Sequence, residues 1–145
     1  MKVEDILHHK GDDIFSVQAT DTIGSAVDLL NDKNIGAVIV KNGDGSVCGI
    51  LSERDVVRRM GGDANDAAVV LSCSVSECMT PNPFTCSPVA TVDEVMTQMT
   101  QKRIRHLPVT DNGQLVGVIS IGDVVKRKIE QAENEAAALK EYIAG

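Results

Sequence analysis

One short stretch occurs twice in the chain, as Gly49-Ile-Leu-Ser-Glu-Arg-Asp55 and as Gly117-Val-Ile-Ser-Ile-Gly-Asp123. Each runs from a glycine through two aliphatic residues into Ser-x-x-Asp, which reads as a strand ending at a helix N-terminus. Unpaired backbone N–H groups and the helix dipole make such an end receptive to an anion. An ionised Asp in the first turn can also accept two hydrogen bonds from a vicinal diol, each contributing about 1.5–3 kcal/mol. A ribose offers that diol and its phosphate can sit near the helix end, so the combination favours a nucleotide over bare phosphate. The same residues equally fit two capping boxes, in which Ser52 or Ser120 caps the helix and the acid reaches back. Capping accounts for the pairs as well as binding does, and Gly49 and Gly117 can be simple close-packing positions.

Working outward, positions 14–60 align with 83–128 at an offset of 69, which drops to 68 after one extra residue in the Asn42–Ser46 turn. Identical pairs include Phe15/Phe84, Thr22/Thr91, Ile35/Ile104, Val40/Val109 and Asp55/Asp123. Ile23, Ala26, Val27 and Leu30 fall at helical spacing, and so do Val92, Val95, Met96 and Met99. Each copy therefore reads as strand, helix, two strands and helix, an α+β pattern of βαββα units. In the first copy the elements are a strand near Phe15–Val17, a helix near Thr22–Lys33, and strands Ala37–Val40 and Val47–Leu51 around an Asn-Gly-Asp-Gly turn. In the second, strands His106–Thr110 and Leu115–Ile119 flank Asp111-Asn112-Gly113, and Pro108 marks an edge strand. A further short helix is expected near Ala64–Leu71, in the segment linking the copies. A unit of about 60 residues buries too little surface to be comfortable alone. Two such units would most simply pack sheet face to sheet face about a pseudo-twofold axis. The tail carries Ile129, Ala132, Ala136, Leu139 and Ile143 at 4-3 spacing, a narrow stripe for its own core or for a second molecule.

Composition narrows the function. The chain has 145 residues, 43% hydrophobic and 24% charged, with no Trp, one Tyr and two Phe. Its core must be aliphatic, and stacking platforms for single-stranded nucleic acid are missing. A net charge of −7 argues against nonspecific binding to a phosphate polymer. No run reaches the ~20 apolar residues of a membrane helix. The N-terminal segment lacks a signal-peptide core, and Cys48, Cys73, Cys78 and Cys86 form no C-x-x-C pair, so a reduced cytoplasmic protein is expected. His8, His9 and His106 show no metal-ligand spacing, no metal is expected, and neither a Walker loop nor a Ser-His-Asp arrangement is present. A non-catalytic small-ligand binder competes with a dimeric interaction scaffold whose Asp residues only cap helices.

With Val75-Ser-Glu-Cys-Met-Thr80 and Ile104-Arg-His-Leu-Pro-Val109 added to the two Gly-x-x-Ser-x-x-Asp segments, the chain resembles the tandem CBS domain family. It looks most like small stand-alone bacterial CBS pairs and the pair inserted in inosine monophosphate dehydrogenase. The resemblance implies CBS units at 3–62 and 75–132, with a helical extension at 133–145. It implies a regulatory, non-enzymatic module with no required cofactor, binding AMP, ADP, ATP or NAD(H) in clefts between the copies and so sensing energy or redox state. Asp55 and Asp123 would hold ribose hydroxyls. Adenine would meet Ser16 and Val17 or Thr85 and Cys86, together with Ile35, Gly36, Ala37 and Val38 or Ile104, Arg105, His106, Leu107 and Pro108. Phosphate would lie near Ser52 and Arg54 or near Ser120 and Gly122, with Arg103 and Arg105 flanking the second strand. The family often has Ser or Thr just before the Asp, where Arg54 and Gly122 stand here. Lys102 and Lys126–Lys128 could add phosphate contacts, although a solvated basic face is the commoner explanation for such residues. A homodimer and a separate effector protein complete what the resemblance implies.

Overall fold

A computed structural model of the chain describes every residue except 12, 63–65 and 145. Helix α1 (Val3–Lys10) precedes the first copy, which comprises β1 (Ser16–Gln18), α2 (Ile23–Lys33), β2 (Ala37–Lys41), β3 (Val47–Ser52) and α3 (Glu53–Met60). Then follow α4 (Ala67–Ser72), α5 (Val75–Cys78) and β4 (Thr80–Pro81). The second copy contains α6 (Val92–Lys102), β5 (His106–Asp111), β6 (Gln114–Ser120) and the 24-residue α7 (Ile121–Ala144). The short helix expected between the copies is α4; Ala64 of that expectation lies outside the described residues. No helix among the described residues is long and apolar enough to cross a membrane.

Local chemistry repeats along with the sequence. Thr22 and Thr91 cap α2 and α6 by accepting from Ser25 N–H (3.2 Å) and Glu94 N–H (3.1 Å). Both helices end on a residue in the left-handed region, Asn34 at φ 52° and Arg103 at φ 55°. The β2–β3 and β5–β6 hairpins both carry a register shift, between Val40 and Lys41 and between Val109 and Thr110. The β5–β6 connection turns on Asn112 and Gly113, both at positive φ, as a tight hairpin requires.

The copies differ at the opening strand. In the first, β1 pairs parallel to β2, and Ile39 N–H donates to the Phe15 carbonyl at 3.1 Å. Its counterpart in the second copy is Pro108, which has no N–H to give. There the strand expected by repetition shrinks to one bridge between Cys86 and Val109. The first copy thus builds a sheet in the order β1-β2-β3-β4, and the second a two-stranded β5-β6 sheet with Pro108 on its edge strand.

Compact units in space are out of step with the repeats in sequence. One unit comprises Met1–Asp12 and Thr85–Gly145, the other Asp13–Phe84. The reason lies in two leading segments, Val3-Glu-Asp-Ile-Leu7 and Val75-Ser-Glu-Cys-Met79, which match at an offset of 72. Val3 N–H and Glu4 N–H donate to the carbonyls of Ala90 and Pro88, while Val92 N–H donates to Met1. Val75, Ser76 and Ile23 repeat the set with Asp21, Ala19 and Cys73. Helix α1 is thereby fastened to the turn before α6, and α5 to the turn before α2.

The next residues reach a strand glycine. A Cβ at Gly117 would lie 2.6 Å from Leu7 Cδ2, and one at Gly49 would lie 2.6 Å from Met79 Sδ and 2.8 Å from the Thr80 carbonyl oxygen. Both glycines are close-packing positions. Around these seats the two cores use matching residues: Val75, Ile23, Leu30, Val38, Val40 and Leu51 in one unit, and Val3, Val92, Met99, Leu107, Val109 and Ile119 in the other. The smaller Ala26 is answered by Val95. Stability should follow this geometry. Gly49→Ala meets fixed backbone and is expected to cost about 1–3 kcal/mol in urea unfolding. Gly117→Ala meets only the end of a leucine and should cost less, with Leu7→Ala added to it giving a loss below the sum of the two. Parent-like stability in both glycine variants would contradict the close approach.

Candidate functional site

Both Ser-x-x-Asp segments form capping boxes. Ser52 N–H donates to Asp55 Oδ2 at 2.9 Å and Asp55 N–H donates to Ser52 Oγ at 3.3 Å. In the second copy the corresponding distances are 2.8 Å from Ser120 N–H to Asp123 Oδ2 and 3.2 Å from Asp123 N–H to Ser120 Oγ. Capping is therefore real in both copies. What remains of each carboxylate decides whether it can do anything else.

Asp55 is spent. Its Oδ2 also accepts from Ser52 Oγ, and its Oδ1 accepts from Thr80 Oγ1 at 3.3 Å. Strand β4 lies over it, with Thr80 opposite Ile50 and Pro81 opposite Gly49, and Asp55 is 9% exposed. The Cys78 thiol donates to the Asp55 carbonyl, and burial, then the Asp55 charge, push the Cys78 pKa up.

Asp123 is open. No Pro81-like stop follows Leu7, so α1 continues through His8 and His9 to Lys10. The Lys10 ammonium donates to the Val118 carbonyl (2.8 Å) and to Asp123 Oδ2 (2.7 Å). One flexible side chain thus takes the places that a whole strand and the Thr80 hydroxyl fill in the other copy. Asp123 Oδ1 has no hydrogen-bond partner among the described residues, and its side chain is 25% exposed. Burial alone would raise this carboxyl, but the hydrogen bonds from Lys10 and Ser120 and the Lys10 charge outweigh it and hold the pKa below the ordinary value.

Strand starts meet these helix starts within each unit. Gly36 accepts from Glu53 N–H at 3.0 Å and Ala37 pairs with Ser52; Arg105 accepts from Ile121 N–H at 2.8 Å and His106 pairs with Ser120. Ser16 pairs with Ile39 one strand farther out. Val17, Val38, Cys86, Leu107 and Pro108 are buried, so a ligand could meet them only through backbone or a sheet edge. Ile35 and Ile104 are half-buried behind the left-handed helix caps, while Arg54, Arg103, Arg105 and Gly122 are exposed. Thr85 is exposed and its carbonyl accepts from Gln98. Burial raises the Cys86 thiol to about 11, which leaves it protonated and unreactive at neutral pH. Of the distal basic residues, Lys128 is committed to Asp93 at 2.7 Å. Lys10 and Thr80 were not singled out by their residue types; the repeat of the leading segment was the signal that placed them.

Known proteins are similar to this chain in sequence and fold. The CBS domain model matches residues 3–62 and 75–130. The mitochondrial CBS domain-containing protein CBSX3 of Arabidopsis thaliana is 35% identical over 129 residues, covering 86% of this chain, which spans 61% of that longer protein. The CBS-domain containing protein ATU1752 of Agrobacterium tumefaciens superposes with a TM-score of 0.82 at 45% identity, over 88% of this chain and 92% of that one. At 24% identity and a TM-score of 0.74, the CBS domain pair of protein MJ0100 shares the fold over 87% of this chain and 98% of its own. Its crystal structure is a complex with 5′-methylthioadenosine and S-adenosyl-L-methionine.

The Lys10–Asp123 pair makes a pH-dependent contribution whose sign is fixed by the lowered carboxyl pKa. The contribution is present above the unfolded value near 4 and is lost as pH falls through the folded one. Lys10→Met should raise the Asp123 pKa in an NMR titration and reduce stability at pH 7 by about 0.5–1 kcal/mol, the range for a partly exposed pair. At pH 2 the two proteins should converge. An unchanged Asp123 titration would dismiss the coupling.

Proposed function

The chain belongs to the CBS-domain family, and from that premise we propose that it is a non-catalytic regulatory module that binds an adenosine-type ligand at Asp123. One observation carries the reading: Asp123 keeps an unpartnered, solvent-reachable carboxylate oxygen at a helix start beside the first residues of β5. Its carboxyl pKa lies below the ordinary value, with Lys10 and Ser120 outweighing burial, so at neutral pH it is ionised, the form a ribose diol needs as acceptor. Ser120 and Gly122 stand at the same turn for a phosphate. Adenosine-bearing ligands in the MJ0100 domain pair support the ligand class. AMP, ATP or NAD(H) is the proposed effector, so that occupancy reports energy or redox state in the cytoplasm and is passed to a separate effector protein. In the first copy the motif serves the fold, because both Asp55 oxygens are used inside it.

This asymmetry separates binding from capping. Asp123→Asn keeps the side-chain shape and should weaken adenosine-ligand affinity about 10- to 150-fold, the equivalent of about 1.5–3 kcal/mol. Asp55→Asn should lower thermal stability and leave affinity nearly unchanged. A parent protein whose melting temperature ignores millimolar AMP, ATP, NAD and NADH leaves only the scaffold reading.

The proposed module is also a homodimer. Its tail stripe does not pack on its own core: Ile129, Leu139 and Ile143 are 53%, 59% and 74% exposed. A closed twofold assembly is the commonest way to cover such a surface. Light scattering should show a dimer that Leu139→Lys with Ile143→Lys shifts toward monomer; a parent that stays monomeric at all concentrations refutes it.

A further inference from the structure

Helix α7 outruns the unit in which it begins. Its first turns are anchored: Val124 is buried in the core, and Lys128 donates to Asp93 at 2.7 Å. Residues 132–144 are all exposed, a rod of about 20 Å at about 1.5 Å per residue. A helix of that length is marginal in water without tertiary contacts. It nevertheless presents Leu139, Tyr142 and Ile143 at 59%, 84% and 74% exposure. A covering surface from outside the unit is what would stabilise it.

The apolar stripe starts before this rod. Val125, Ile129, Ala132, Ala136, Leu139 and Ile143 follow one another at alternating steps of four and three, and Val125 and Ile129 are 40% and 53% exposed. Those positions are the layers of a heptad seam that begins on the anchored turns. Ile129, Ala136 and Ile143 take the a positions, and Val125, Ala132 and Leu139 the d positions. Ile at a with Leu at d favours two parallel strands.

Charges beside the seam set its direction. The g positions hold Lys128 and Glu135, and the e positions hold Lys126, Glu133 and Lys140. In a parallel pair each g residue meets the partner's e residue in the next heptad, which sets Glu135 against the partner's Lys140 on both flanks. Among the described residues Lys140 has no ion pair, and Glu135 has only a 3.4 Å hydrogen bond from Gln131. An antiparallel pair over the whole seam sets e against e and g against g. Glu135 would then face the partner's Glu135, Glu133 the partner's Glu133, and Lys126 the partner's Lys140. Sliding that pair by one heptad matches Glu133 to the partner's Lys140 but leaves Val125 and Ile129 uncovered.

We propose that α7 pairs with α7 of a second copy as a parallel, in-register coiled coil over residues 125–143, with Glu135 and the partner's Lys140 closing both flanks. This rests on the homodimer reading above and adds to it the surface, the direction and the register. The two Asp123 helix starts then lie at the same end of the seam.

Sedimentation equilibrium on the full chain reads the dimer constant. Glu135→Lys and Lys140→Glu should each weaken dimerisation about tenfold, by turning both flanking pairs repulsive. The two changes together should restore it, whereas Glu133→Lys with Lys140→Glu should not. Ile143→Cys should form a disulfide-linked dimer under mild oxidation that the parent, with its own four cysteines, does not form. The parallel register brings the two 143 positions within bridging distance; either antiparallel register holds them apart. All of these positions are exposed, so the core is left intact. Rescue by the 133/140 pair with no cross-link at 143 overturns the parallel arrangement. A dimer indifferent to every one of these changes places the interface elsewhere: the coiled coil falls and the homodimer reading stands. A parent that is monomeric at all concentrations removes both.

Discussion

The fold depends on a side chain seated where a strand has none. Leu7 occupies the space over Gly117, and Met79 with the Thr80 backbone occupies the space over Gly49. The contact places each leading helix directly on the strand that runs into the Ser-x-x-Asp turn. That approach brings Lys10 within reach of Asp123 and Thr80 within reach of Asp55. A larger residue at either glycine would hold the leading segment off, and the groups that tune the carboxylates would leave with it. The chemistry at the helix starts is thus downstream of a packing requirement three residues before each capping serine.

Duplication set up two equivalent positions, and small changes made them unequal. Thr80-Pro81 follows the Val75–Met79 segment, and the chain straightens into β4, which pairs with β3 and brings Thr80 to Asp55. His8-His9-Lys10 permits another turn of helix, and a lysine reaches the uncovered carbonyl and carboxylate instead. A strand closes its site; an ammonium on a flexible stem leaves one oxygen open. A second inequality comes from Pro108, which removes the N–H that its counterpart Ile39 uses and reduces the neighbouring strand to a bridge.

Periodicity made the helical faces and hairpins legible. Ile23, Ala26 and Leu30, and Val92, Val95 and Met99, are buried as their spacing predicts, and the Gly-containing turns fall where their φ values demand. Strand ends moved by a residue or two, within the fraying that separates one boundary definition from another. The capping-box reading of Ser52/Asp55 and Ser120/Asp123 was visible from spacing alone, since both partners lie three residues apart. The inequality of the two aspartates was not, because it is set by Thr80 and Lys10, far away in sequence. Likewise nothing local in Arg127 distinguishes it from a solvated basic residue, yet its side chain is only 14% exposed. The tail stripe was readable as a stripe, while its exposure needed the structure.

The unit completed by α1 is discontinuous along the chain, and this orders events during synthesis. Val3 and Ile6 emerge from the ribosome well before the Val92, Val95, Met99 and Val124 surfaces they pack against. The stretch from Asp13 to Phe84 holds a full set of its own partners and can complete its core in the meantime. Until translation has supplied α6, β6 and α7, the apolar face of α1 has no partner, and a chain truncated after the first copy would leave Val3, Ile6 and Leu7 uncovered.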